Sequence, residues 1–255
     1  TIQTNGTTSS NYGLYITSSA NNNTIANNTI RTQGASGLNH GIYLLDTVSG
    51  NAVTGNTIQT NGTNDNYGII LQSSANNNTI AYNTITARGT VNSNFGIYLF
   101  STVSGNVITN NTIQTNGTTA NHGIRLETSA NNNNFTNNNI STIGTGSYGI
   151  FIIASNSSFN NTILNNTVQW VNTGAGTSNN FTNTTFVSLN GTIVIGNFTL
   201  DGVTDITQPK LNVTFNRSFV NSTNLSALNT SAQITLTGLS FTNPRIKADY
   251  ADSGV

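Results

Sequence analysis

The 255-residue sequence contains no cysteine and no methionine, and only two prolines and one tryptophan. Without cysteine the fold has neither disulfides nor thiolate metal ligands, and cysteine usage says nothing about redox compartment. Charge is also scarce. Asp, Glu, Lys and Arg make up 5% of the chain, against about a quarter in ordinary globular proteins. Seven basic residues cancel seven acidic ones. No basic face can neutralise a phosphate backbone, so nucleic acid is excluded as a partner, and no polybasic patch addresses an anionic membrane. No apolar run approaches the roughly 18 residues of a membrane-spanning helix and no signal peptide is present, so direct membrane insertion is not expected. A chain that opens at Thr1, without an initiator methionine, reads as processed or as a fragment.

Low charge combined with many Asn, Ser and Thr residues can mean disorder. Here 35% of residues are hydrophobic, and Ile and Leu recur at fixed intervals. A strand-like phrase begins at Asn11, Asn39, Asn66, Asn94, Asn121 and Ser147. Its glycines, Gly13, Gly41, Gly68, Gly96, Gly123 and Gly149, are spaced 28, 27, 28, 27 and 26 residues apart. Two further apolar positions follow in each unit, five residues apart: Ile25/Ile30, Val53/Ile58, Ile80/Ile85, Ile108/Ile113, Phe135/Ile140 and Ile163/Val168, with a weaker pair at Phe181/Phe186. Asn precedes them in two columns. One is Asn23, Asn51, Asn78, Asn106, Asn133 and Asn161; the other is Asn28, Asn56, Asn83, Asn111, Asn138 and Asn166.

These apolar clusters are too short for helices and keep no 3.6-residue period. Three short strands per unit of about 27 residues describe one coil of a three-faced β-solenoid. Stacked coils set equivalent residues about 4.8 Å apart. Two inward ladders follow from the period of two: Leu14, Ile42, Ile69, Ile97, Ile124, Ile150, and Ile16, Leu44, Leu71, Leu99, Leu126, Ile152. Asn repeated at a turn can take a left-handed backbone conformation and bond its equivalents in adjacent coils. That accounts for much of the Asn excess structurally. A longer echo spans two coils. The phrase TIQTNGT recurs at 1–7, 57–63 and 112–118, SSANNNTIA at 18–26 and 73–81, and TVSGN at 47–51 and 102–106, as though coils had been copied in pairs.

The phrases NYGIILQSSANNNTIAYNTI (66–85) and NFGIYLFSTVSGNVITNNTI (94–113) resemble the right-handed parallel β-helix repeat family, in its pectin-lyase-like and NosD-like group. The resemblance covers residues 1–187 and implies an all-β, right-handed, three-faced parallel β-helix of six to seven coils. It implies no single function, because this scaffold hosts lyases, hydrolases, epimerases, phage spikes and surface proteins. Beyond it, residues 191–200, 210–220 and 232–241 alternate apolar and polar and read as antiparallel strands. Residues 188–255 are therefore expected to form a small β-domain or cap, since an open rung exposes unpaired strand edges. This tail also resembles segments that follow β-helix repeats in large prokaryotic surface proteins.

Chemistry is thin. The acids are Asp46, Asp65, Glu127, Asp201, Asp205, Asp249 and Asp252. Only three fall within the solenoid, in different coils, whereas carboxylate-pair hydrolysis or a calcium-assisted lyase needs at least two converging groups. No catalytic residue, cofactor or metal site is predicted. Glu127 and Arg125, two residues apart on one strand, read as a solvated pair. His40 and His122 share a column but lie three coils apart, too far to hold one metal; Tyr12, Tyr67, Phe95 and Tyr148 fill the same column, which reads as an aromatic ladder at a corner or in the core. Between the two inward ladders lies an outward column: Tyr15, Tyr43, Ile70, Tyr98, Arg125 and Phe151. Exposed aromatics there would stack sugars or pack a neighbouring subunit, or stack across coils and stabilise the sheet.

The most frequent outward motif is N-x-S/T, present 21 times. Candidate glycosylation sites are Asn5, Asn61 and Asn116, read as Asn-Gly turns, together with Asn22, Asn77, Asn110, Asn160 and Asn190. The leading expectation is a non-enzymatic, N-glycosylated protein of the cell surface or extracellular space. It would be a surface-layer, filament or adhesin module that self-associates head-to-tail or laterally. The alternative is a carbohydrate-binding or polysaccharide-processing β-helix that uses the aromatic stripe.

Overall fold

A computed structural model of the chain describes residues 1–8, 10–166, 169–174, 178–214, 217–221 and 223–237. It is a right-handed parallel β-helix. Each coil contributes three strands, as in Ile42–Leu45, Ala52–Thr54 and Thr57–Gly62. Equivalent strands stack into three sheets. Sheet I grows from Ile2–Gly6, sheet II from Leu14–Ile16 and sheet III from Thr24–Ala26, and they hold ten, eight and eight strands. Strands this short follow from the sequence, since each Asn, Gly or Ser cluster ends the extended run after a few residues.

Register keeps like over like. Ile30 pairs with Ile58, Ile58 with Ile85 and Ile85 with Ile113 in sheet I. Ile69 pairs with Ile97 and Leu71 with Leu99 in sheet II, and Val53 with Ile80 in sheet III. These columns face one another across a single continuous core in which nearly every member is fully buried. A register slip of one residue would turn a whole column outward, so the pattern specifies the stack.

An asparagine ladder closes each of the three corners. Before sheet III, the side-chain amide of Asn51 donates to Asn78 Oδ1 at 3.0 Å and that of Asn78 to Asn106 Oδ1 at 3.2 Å. Between sheets III and I, Asn56 donates to Asn83 and Asn83 to Asn111, each at 3.0 Å. The third ladder, between sheets I and II, is built by the Asn that opens each strand phrase: Asn11, Asn39, Asn66, Asn94 and Asn121, linked at 2.7–2.8 Å. In all three the Oδ1 also accepts the backbone N–H of the preceding coil's Asn, as Asn83 does from Asn56. Buried amides are thereby satisfied along the whole rod.

Three expectations are corrected. First, the last coils are shorter. Phe135 stacks on Phe159 and Phe159 on Phe181, steps of 24 and 22 residues. The inward pair of that coil is therefore Phe159 and Leu164, and Ile163 points outward, 38% exposed; Val168 lies outside the described residues. Second, Asn161 and Asn166 leave their assigned ladders. Ser157 and then Asn179 follow Asn133, and Asn161 sits at an exposed left-handed position. Asn166 lies within Ile163–Asn166, opposite Thr142. The second ladder passes instead to Thr162 and Thr184, whose hydroxyls are buried and unpaired. Third, the Asn-Gly of TIQTNGT is not a turn. Asn5, Asn61 and Asn116 lie in sheet I strands. Gly62 is required because a β-carbon there would sit 2.5 Å from Asn66 Oδ1 and 2.4 Å from Asn39 Nδ2, inside the third ladder.

Parallel pairing ends with Thr184–Ser188. The chain then turns back and retraces the last coil in the opposite sense. Gly191–Ile195 pairs antiparallel on sheet I, Phe198–Asp201 on sheet III and Thr204–Thr207 on sheet II. Each final strand of the β-helix thus gains an antiparallel partner, and Ile193, Ile195, Phe198, Leu200 and Ile206 extend the core. Ala232–Leu236 adds one more strand to sheet I, and a hairpin of Leu211–Thr214 and Arg217–Val220 packs beyond. The stretch expected as one strand at 191–200 is two strands on different sheets, bent at Gly196 and Asn197.

Candidate functional site: the aromatic face of sheet II

Immediately after the third ladder, each coil presents a ring. Strand spacing of about 4.8 Å places such rings at stacking distance. Centroids are 5.2 Å apart for Tyr12–His40, 4.6 Å for His40–Tyr67, 5.0 Å for Tyr67–Phe95 and 5.3 Å for Phe95–His122, all stacked, and Tyr148 continues the row. The following glycine permits this close approach. A β-carbon on Gly68 would lie 2.2 Å from Ile85 Cγ2 and 2.6 Å from the Gly96 carbonyl.

The two histidines serve the stack. Tyr67 N–H donates to His40 Nδ1 at 3.3 Å, and Tyr148 N–H to His122 Nδ1 at 3.2 Å. Burial pushes each imidazole down to about 3, with the Arg125 charge adding to the effect at His122. Both are neutral acceptors near neutral pH and are not poised as acid–base groups.

Three residues on lies the outward column predicted from sequence, and pairing confirms the order Tyr15, Tyr43, Ile70, Tyr98, Arg125, Phe151. Tyr15 is 49% exposed, whereas Ile70 is 4% exposed. The difference arises because tyrosines of even coils lean onto odd ones. Tyr43 OH donates to Gln72 Oε1 at 2.6 Å, and Tyr98 OH to Glu127 Oε2 at 2.9 Å, each in the next coil. The phenol of Tyr43 is pushed up to about 12 by burial, then by Tyr12, Tyr15 and Asp46. Tyr98 is raised well above the phenol range by burial and its bond to Glu127, and Tyr67 by burial and Asp65. These hydroxyls stay protonated donors.

Arg125 is not a solvated partner of Glu127. Its Nε and Nη2 both donate to Glu127 Oε2, at 3.0 and 2.8 Å. Its guanidinium also lies 5.0 Å from the Phe95 ring centre, 5.6 Å from Tyr98 and 5.3 Å from Phe151. The carboxylates remain singly engaged. Exposed Asp46 accepts from Thr17 at 3.5 Å, Asp65 accepts from the Asn64 amide and from Tyr67 OH, and Asp205 pairs with Lys210. Asp249 and Asp252 lie outside the described residues.

The sequon asparagines are elsewhere. Asn5, Asn22, Asn61, Asn77 and Asn116 are exposed, and Asn110, Asn160 and Asn190 are half-buried. In the NNT triplets the first Asn stands outward at positive φ (Asn22 59°, Asn77 55°, Asn110 54°) and the second enters a ladder. A cavity of about 520 Å³ near the antiparallel end is lined by Asn180, Thr182, Thr199, Thr230 and neighbours, none of them titratable. Among the described residues no cluster of three metal-ligating side chains occurs, and no helix is long and apolar enough to cross a membrane.

A family model described as "right handed beta helix region" matches residues 1–168. The chain belongs to that family. No curated protein matches the sequence. Among solved structures, this β-helix is similar to the periplasmic alginate epimerase AlgG, at 20% identity and a TM-score of 0.49, over 67% of this chain and 35% of that one. It is also similar to a single-mutant form of the same epimerase, at 19% identity and a TM-score of 0.42, over 63% and 35% of the two chains. The chain thus spans about a third of the length of those proteins. Likeness at this level is not evidence of shared activity.

Reading the residues alone missed the third asparagine ladder. Its signal was present, since Asn opens five of the six aligned phrases. The leaning of Tyr43 and Tyr98 and the cage around Arg125 had no such signal, because both depend on side-chain direction across coils.

Proposed function

We propose that this β-helix binds a polysaccharide along the outer surface of sheet II, outside the cytoplasm, and holds it without cleaving it. The observation that carries this reading is the continuous aromatic band itself. Two adjoining columns of rings run along the rod, with Tyr15 exposed and Tyr43 and Tyr98 pinned by their hydroxyls. Flat, pre-ordered rings are suited to stack on the apolar faces of sugars at low entropic cost. Binding without cleavage is supported by the carboxylates, which are engaged singly by neighbours on separate coils. Affinity electrophoresis in polysaccharide gels is expected to retard the protein. The double variant Tyr43→Ala/Tyr98→Ala is expected to run freely, and undiminished retardation in that variant would reject the site. A reducing-end assay is expected to show no product release.

A separate observation favours a second reading. All eight candidate glycosylation asparagines are exposed or half-buried. This supports an N-glycosylated surface-layer, filament or adhesin module that self-associates laterally or head-to-tail. Peptide mass spectrometry of material from the native source checks it. Unmodified Asn5, Asn61 and Asn116 would remove the glycan, and short isolated rods in negative-stain images would remove the filament.

A further inference from the structure

Building on the polysaccharide reading, we infer that the ligand is an extended β-1,4-linked chain of neutral or amino-substituted sugars. The chain would lie along the rod axis with its repeat matched to every second coil, and polyuronates would be rejected.

Two independent features lead there. The first is spacing. Along the stripe, Tyr43, Tyr98 and Phe151 occupy alternate coils, with Ile70 and Arg125 between them. The intervening positions are recessed: Ile70 is 4% exposed, and the Arg125 side chain is 20% exposed beneath three rings. The rings therefore repeat at twice the strand separation, about 9.6 Å. That is close to the disaccharide repeat of a flat, fully extended β-1,4-linked pyranose chain. A coiled α-linked chain does not hold such a repeat.

The second feature is charge. Both bases on this side of the rod are neutralised, Arg125 by Glu127 at 2.8 Å and Lys210 by Asp205 at 3.9 Å. Asp46 and Asp65 have no basic partner among the described residues. Asp46 lies at the end of the Tyr43 strand, and Asp65 beside Tyr67. The unpaired cations Arg31 and Arg88 are on the outer face of sheet I. A chain laid along the rings thus meets two uncompensated carboxylates and no free cation. A uronate on every sugar would be repelled, a neutral sugar would not, and an ammonium-bearing sugar would be attracted.

The test is affinity electrophoresis of the full chain against four soluble polymers: hydroxyethyl cellulose, chitosan at mildly acidic pH, polygalacturonate and the α-linked glucan pullulan. Hydroxyethyl cellulose and chitosan are expected to bind at least about tenfold more tightly than polygalacturonate. In Asp46→Asn/Asp65→Asn that gap is expected to close to a few-fold through a gain in polygalacturonate binding. Tightest binding to polygalacturonate, or pullulan equal to hydroxyethyl cellulose, would overturn the ligand class while leaving the aromatic site intact. An unchanged gap in the Asn variant would remove the role of the two carboxylates. Failure of all four polymers to bind would overturn the polysaccharide reading as well. Tyr15→Ala, at an exposed ring, serves as a second variant. With an unchanged thermal melt it is expected to weaken hydroxyethyl cellulose binding several-fold; full retention would count against stacking.

Discussion

The corner between sheets III and I and the corner between sheets I and II are closed by the same device and finished differently. At the first, Asn56, Asn83 and Asn111 close the turn by themselves. At the second, Asn39, Asn66 and Asn94 form an equivalent ladder, and a column of rings is stacked directly after it. The bare corner shows that an amide ladder is enough to turn the chain. The rings at the other corner therefore exceed what the turn needs, and the candidate site lies where that excess is. The comparison also separates two kinds of polar group. Amides are consumed inside the fold, whereas the tyrosine hydroxyls and carboxylates of sheet II lie at its surface.

Acid should break this symmetry with the largest effect. His40 and His122 stand only at the aromatic corner. Their folded values, about 3, lie below the ordinary 6.5. The unfolded chain therefore takes up protons first as pH falls, so stability is full above about pH 6.5 and is lost as pH drops toward 3. The expected loss at pH 4 is about 3 kcal/mol per histidine, followed by chemical denaturation across pH. His40→Phe, which copies Phe95 of the same column, should lessen that dependence. Equal acid sensitivity in the variant would contradict the assignment.

Next in size is the bare corner. Asn83→Ala strips an acceptor from the Asn56 N–H and amide and a donor from the Val53 carbonyl. About 3 kcal/mol of destabilisation is expected from leaving these groups buried and unpaired, read from urea midpoints. The surface control Asn116→Ala should change stability by less than about 0.5 kcal/mol. Gly68→Ala tests the close approach behind the rings. The added methyl meets Ile85 and the Gly96 carbonyl, and about 2 kcal/mol of overpacking is expected; a neutral variant would show that the corner can relax. Smallest is Tyr98→Phe, which removes only the bond to Glu127. It should cost about 1 kcal/mol or less and sharpen the division between rings that stabilise and rings that bind.

Legibility differed along the chain for physical reasons. In coils of 26 to 28 residues the inward columns, two of the three ladders and the outward stripe could be read directly, because stacking puts like residues over like and repetition exposes the period. Reading failed at Ile163, Asn161 and Asn166, where the coil shortens. A fixed period carries the frame past the true register there, and alternation then sends each residue to the wrong face. It failed also at TIQTNGT, where Asn-Gly has the composition of a turn but Gly62 is small to admit a neighbouring amide. The same contact explains the two-coil echo in part: Asn22 Oδ1 lies 2.4 Å from where a β-carbon on Gly50 would be, so an Asn coil is followed by a Gly coil.

By itself the sequence determined the three-stranded coil, its length and which side chains face inward, since those follow from local alternation and from a repeat that superimposes on itself. Only the tertiary structure decided which outward rings remain open, how Arg125 is enclosed, and how the chain doubles back so that every last strand gains a partner. Those outcomes depend on contacts between coils, where a side chain's direction in space matters and its place in the repeat does not reveal it.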